Sequence, residues 1–220
     1  MYRKTIYVFQ NDKPLLATVR QYERKDIAAL IEVQKESFPP PFSSDLWWSM
    51  EQLEEHITRF PEGALCVETD GEIAGSMTAL RINHQHYIHK HQWEIVTDDG
   101  YIRNHNPDGD TLYVVDISVK PTFRKYGLGK LMMQSMYHIV IQQGISSLMG
   151  GARMPGYGKL QNQLSPEKYI EQVVSGQRKD PVVSFLLRCG RVPVTLLPDY
   201  LEDEESAHYA LLMEWKNPFI

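Results

Sequence analysis

The stretch Pro121-Thr-Phe-Arg-Lys-Tyr-Gly-Leu-Gly129 sets two closely spaced glycines and several cations directly ahead of a helix-like apolar pattern. The first N–H groups of a helix have no partner inside it, and the helix dipole adds about half a positive charge at that end. A phosphate or pyrophosphate satisfies such a cradle. Gly127 and Gly129 can take backbone angles or close approaches that a β-carbon forbids, while Arg124, Lys125 and Lys130 bring cations to the rim. Two nucleotide-binding signatures are excluded. Gly129-Lys130 is followed by Leu131, which leaves no hydroxyl for magnesium, and Gly-x-Gly-x-x-Gly is absent.

The flanks of the cradle narrow its nature. Residues 112–119, Leu-Tyr-Val-Val-Asp-Ile-Ser-Val, are rich in β-branched and aromatic side chains and are followed by Lys120-Pro121, so they read as a buried strand. Leu128, Leu131, Met132, Met136, Ile139 and Val140 recur at helical spacing, and Gly144 stands where a helix end wants a left-handed residue. Arg124-x-x-Gly127-x-Gly129 in this strand-turn-helix setting resembles the GNAT superfamily of acetyl-CoA-dependent N-acetyltransferases, with a weaker likeness over residues 16–216. The resemblance implies an α/β fold, a mixed and strongly bent sheet with helices on both faces. It also implies that the backbone amides of Arg124, Lys125, Tyr126, Gly127, Leu128 and Gly129, with Lys130 beside them, hold the coenzyme A pyrophosphate. The backbone of Ile117, Ser118 and Val119 would pair with the pantetheine arm like another strand, in a V-shaped gap before the next strand. Phe60-Pro-Glu-Gly63, Gly151-Ala-Arg-Met-Pro155 and Tyr200-Leu-Glu-Asp203 with Glu205-Ser206 look like a branch sometimes fused to nitrilase-like hydrolases, which points to no substrate.

Acetyl transfer from a thioester needs an uncharged amine, so a base must take its proton, directly or through water, and a donor can protonate the departing thiolate. Asp116 is the first candidate base. In a regular strand it leaves with Val114 and Ser118, opposite Tyr113, Val115, Ile117 and Val119, and burial would raise its pKa to a useful value. A structural carboxylate bonded to a neighbouring backbone or arginine is the equal alternative. The tyrosine that usually serves this family as donor, four residues before the glycine ending the last helix, is replaced by Leu186. Tyr157 is the nearest substitute in linear sequence, with a packing role as the stronger alternative; Arg153 is placed to meet a carboxylate or phosphate. The missing tyrosine also favours a second class of function, a non-catalytic acyl-CoA-binding or sensing module.

Two other patterns resemble metal sites. His84, His86, His89 and His91 form His-x-His pairs with ligand-like spacing, but without a cysteine or a third fixed ligand they read as a solvated rim. Asn106-Pro-Asp-Gly-Asp110 lacks the spacing and terminal glutamate of a calcium loop and reads as a turn. No metal is expected. The aromatic cluster at 38–42 with Trp47 and Trp48 reads as core that, in this fold, walls the acceptor site.

The elements that must position these residues alternate along the chain. Residues 5–9 and 15–19 bracket an Asn11-Asp12 turn, an extra N-terminal hairpin over about 1–15 before a single domain at 16–220. A helix is expected from about 24–26 to 37, broken by the prolines at 39–41, and a second from Ser43 or Ser44 to before Phe60. Residues 64–69 and 72–81 around Asp70-Gly71 form a hairpin, and 83–110 is a polar excursion. A strand at 146–152 is weakened by Gly150 and Gly151, which would ease close backbone approach. Ser165-Pro166 and Asp180-Pro181 start helices that end near Gly176 and Gly190, and 191–197 and 207–215 are the last strands.

The 220 residues suit one domain with an insertion, and 42% hydrophobic content suffices for a full core. A net charge of −5 makes no case for nucleic acid. Cys66 and Cys189 are too few for a disulfide framework, and the apolar run at 6–9 is too short for a signal peptide. The expected partners are acetyl-CoA as cosubstrate and a small-molecule or peptide amine, in a cytoplasmic protein that binds neither nucleic acid nor membrane; a homodimer is left open.

Overall fold

The computed structural model describes residues 2–88 and 91–220. Eight strands form one sheet: β1 (Arg3–Gln10), β2 (Lys13–Gln21), β3 (Ala64–Thr69), β4 (Glu72–Ile82), β5 (Thr111–Val119), β6 (Ser147–Arg153), β7 (Val192–Leu197) and β8 (Ala210–Lys216). Their order is β1-β2-β3-β4-β5-β6-β8-β7, antiparallel except for β5 with β6. The helices are α1 (Ile27–Ser37), α2 (Met50–Arg59), α3 (Trp93–Thr97), α4 (Leu128–Gln142), α5 (Pro166–Val174) and α6 (Val183–Arg188). Nearly every residue of β4 and the first half of β5 is buried, so both faces of the sheet centre are covered; α1 and α4 both pack on these strands. This is the mixed α/β architecture expected.

Local chemistry accounts for the element ends. The two hairpin turns carry positive φ at both central residues, Asn11-Asp12 and Asp70-Gly71, which matches the right-handed twist of the strands they join. β1 pairs with β2 along its whole length, so the N-terminal hairpin is the edge of the common sheet. α2 starts at Met50, six residues past Ser44. The Ser49 hydroxyl accepts the Gln52 N–H at 3.1 Å while the Gln52 side chain accepts the Ser49 N–H at 2.8 Å, a reciprocal cap that outcompetes Ser43 and leaves Trp47 extended. α6 begins at Val183 because Asp180 Oδ1 accepts the N–H groups of Val182 and Val183, each at 2.9 Å. β8 begins at Ala210, later than the expected 207, since Ala207 and His208 are left-handed and close a turn.

A buried relay fixes α2 and the excursion to the sheet. His56 Nε2 donates to the Gly100 carbonyl at 2.6 Å, so its Nδ1 accepts from the Tyr22 hydroxyl at 2.9 Å, and Tyr22 in turn takes the Thr78 hydroxyl at 3.0 Å. Burial lowers the His56 pKa to about 4, which keeps it neutral in this role. Arg20 and Asp26, both buried, tie β2 to the start of α1 through bonds of 2.7 and 3.0 Å. Among the described residues no helix is long and apolar enough to cross a membrane. Cys66 is buried, Cys189 half-buried, and both are free.

Candidate active site

β5 and β6 pair only from Thr111↔Ser147 to Tyr113↔Met149. Beyond that they separate, and a cavity of about 130 Å³ occupies the gap, lined by Phe38, Phe42, Trp48 and Trp93 together with Gly150, Gly151 and Leu186. The strand edge from Val114 to Val119 therefore has no β6 partner. Its alternation is broken. Thr78 pairs with Asp116 but Ala79 with Val114, so Val115 is an extra residue, and Val114, Val115, Asp116 and Ile117 all line the cavity. The strict two-residue alternation expected for Asp116 fails here for that reason. The displaced Val115 carbonyl is taken by the indole N–H of Trp93 at 3.1 Å.

Asp116 is held from two elements. Gln34 of α1 donates to its Oδ2 at 2.7 Å, and Ser118, two residues on in β5, helps to favour its charged form. Burial raises its pKa to about 7 against these bonds, which favour the charged form. A carboxylate at this value can accept a proton near neutral pH. Arg153, a second polar group of the cavity, is neutralised by Asp203 at 2.6 and 2.7 Å and by Glu205 at 3.1 Å, and lies over the Phe42 ring.

At the end of β5 the chain turns through the glycine loop into α4. Lys125 and Gly127 both have positive φ, 74° and 79°, which tilts successive N–H groups to one side. The first backbone bond of α4 runs from the Leu131 N–H to the Gly127 carbonyl, and the Arg124 N–H is already bonded to Pro121. The amides of Lys125, Tyr126, Gly127, Leu128, Gly129 and Lys130 thus remain for a ligand, one position later than expected at the start. The Arg124 side chain is not a free rim cation. It donates to the carbonyls of Val119 and Ser37. Gly129 has a packing reason, since a β-carbon there would stand 3.2 Å from the Phe185 ring.

Tyr157 is elsewhere. It is 3% exposed, its hydroxyl donates to the Leu164 carbonyl at 3.1 Å, and it packs on Tyr169 and Tyr209. Leu186 does face the cavity, at the place where a donor was sought. Sequence reasoning gave no site role to several cavity residues, among them Gln34, Trp93, Arg191 and Tyr200. The one available signal was Trp93, a large apolar residue inside a polar stretch. The two glycines of β6 gain their reason here. A β-carbon at Gly151 would stand 2.2 Å from Tyr200 Cζ, and one at Gly150 3.1 Å from the Val114 carbonyl oxygen.

Of the described histidines, His84 and His91 stand with ring centroids 6.2 Å apart. His91 is buried, with Nε2 3.0 Å from the Tyr113 hydroxyl, which lies 2.9 Å from that of Tyr200, so it is no part of a solvated rim. His89 lies outside the described residues. Among those described, no group of three or more potential ligands surrounds a metal position. Asn106 to Asp110 is a turn, with the Gly109 N–H on the Asn106 carbonyl.

A strand pair that opens around a carboxylate, beside a helix start with unspent N–H groups, is the arrangement of an acyltransferase. The chain matches the acetyltransferase (GNAT) family over residues 27–155 and belongs to it. It is 49% identical over 216 residues to YkwB, an uncharacterized N-acetyltransferase of Bacillus subtilis (strain 168), covering 98% of this chain and 96% of that protein. It is also 39% identical over 200 residues to the probable hydrolase YhcX of the same organism, covering 90% of this chain but 38% of that longer protein. Among solved structures, the GphF GNAT-like decarboxylase in complex with isobutyryl-CoA superposes with a TM-score of 0.76 at 21% identity, covering 90% of this chain and 98% of that one. At that identity the likeness concerns the fold.

Proposed function

We propose that the protein is a cytoplasmic N-acetyltransferase that moves an acetyl group from acetyl-CoA to a primary amine by direct attack. The pyrophosphate lies on the amides from Lys125 to Lys130, and the pantetheine arm runs along Ile117, Ser118 and Val119 into the gap between β5 and β6. Asp116 takes the amine proton as nitrogen bonds to the thioester carbonyl, and the carbon–sulfur bond then breaks with departure of the thiolate. A thiol is acidic enough to leave in that form near neutral pH, so Leu186 in place of a donor is tolerable. The observation that carries this reading is the carboxylate with a pKa of about 7 in the cavity where the strands part.

The test is calorimetry with coenzyme A and acetyl-CoA, followed by turnover of acetyl-CoA with a panel of amines. Binding with turnover is the expected result. Tight binding with no turnover across the panel would favour the acyl-CoA-sensing alternative, and absence of binding would refute both.

A further inference from the structure

Arg191, immediately ahead of β7, is 2% exposed and reaches the closed end of the β5–β6 gap, beside Val114 and Gly150. Its Nη2 donates to the carbonyls of Gly150 at 3.3 Å and of Met213. Its buried Nε has no hydrogen-bond partner at all. Among the described residues no carboxylate lies within ion-pair distance of it, whereas Arg153 in the same cavity has two. The groups around it are Tyr137, Tyr113 and Tyr200, whose phenols are kept neutral because burial raises their pKa values. Burial lowers Arg191 to about 10, so it is a cation at neutral pH.

A buried charge without a counter-charge is costly, and a buried N–H without an acceptor adds to that cost. The two carbonyl bonds explain where Nη2 rests. They explain neither the net charge nor the unspent Nε, which belong to a guanidinium still missing its forked partner. A β-carbon at Gly150 would stand 3.5 Å from Nη2, in ordinary contact, so the guanidinium lies against the β6 backbone at the gap.

We propose that the cavity receives a substrate bearing a carboxylate, and that this carboxylate pairs with Arg191. The inference rests on the acyl-transfer reading and adds a substrate class to it. The carboxylate can arrive on the acyl group or on the acceptor amine, and the two sources are separable by experiment.

Calorimetry on the full chain compares malonyl-CoA and succinyl-CoA with propionyl-CoA and butyryl-CoA, and kinetics compare amino acids with their α-amides as acceptors. One of the two carboxylate series should be preferred by at least about tenfold, the scale of a charge-assisted bond, and that series identifies the source. Arg191→Gln should erase the preference while coenzyme A itself binds as in the wild type. If that variant does not fold, Arg191→Lys, which keeps the charge but not the fork, should retain only part of the preference. Normal coenzyme A binding with no discrimination in either series would overturn the proposal and leave Arg191 a clamp on two carbonyls. Failure to bind coenzyme A would instead overturn the acyl-transfer reading beneath it.

Discussion

Asp116→Asn separates a catalytic base from a structural carboxylate, because the two roles predict opposite dependences on pH. The ordinary carboxyl value is 3.8, whereas burial holds Asp116 protonated up to about 7 in the folded chain. Between those values the native state binds more protons than the unfolded state, so this group makes stability fall as pH rises. At 1.36 kcal/mol per pH unit the loss above pH 7 is at most about 4 kcal/mol, an upper bound because the carboxylate opens on the cavity. Asparagine keeps an oxygen for Gln34 and cannot ionise. Asp116→Asn should therefore match the wild type in urea unfolding near pH 4 and exceed it by up to that amount at pH 8. The neutral histidines His56, His91 and His105, each lowered to about 4 mainly by burial, contribute stability that is present above about 6.5 and lost as pH falls through 4. They are common to both proteins and cancel in the difference. In turnover, the wild type should lose activity as pH falls through 7, and the variant should lack that limb and run about a hundredfold slower or worse, with coenzyme affinity unchanged. A variant equally destabilised at pH 5 and 8, or a wild-type acid limb that persists in it, would refute the assignment.

Gly127→Val should weaken coenzyme A binding by more than about tenfold in calorimetry. Its cause is backbone strain alone: φ is 79° there and a β-carbon would meet nothing within 4 Å, so the cost is that of a left-handed branched residue. Tyr157→Phe should remove one hydrogen bond, costing about 1 kcal/mol in denaturant unfolding, and leave the pH–rate profile unmoved. Asp26→Asn weakens the buried bond to Arg20, which keeps Glu68 as its second carboxylate, and should cost about 1–3 kcal/mol of stability, while the folded variant keeps its coenzyme affinity.

The glycine loop between β5 and α4 was legible in the chain itself, because its backbone chemistry is local. A turn with Gly127, a following amphipathic stretch and an apolar run before it determine a strand, an αL residue and a helix start within about twenty residues. The hairpin turns, Gly144 and the Ser165-Pro166 cap were legible for the same reason: backbone angles and nearby hydrogen bonds depend on residue type at short range. Asp116 could be singled out as a carboxylate in an apolar strand, but not its direction, since the extra residue at Val115 arises from pairing with β4. Where β5 leaves β6 is likewise a matter of register between strands 36 residues apart, from Thr111 to Ser147. Gln34, Trp93, Arg191 and Tyr200 reach one cavity from four separate segments, and apart from Trp93, a large apolar residue in a polar stretch, nothing nearby in the chain assigns them to it. Tyr157 shows the converse. Its nearness to β6 along the chain suggested the cavity, and packing turned it to Tyr169 and the Leu164 carbonyl. Distance along the chain measures covalent reach, while protonation, burial and convergence depend on what the folded sheet and helices bring within a few ångströms.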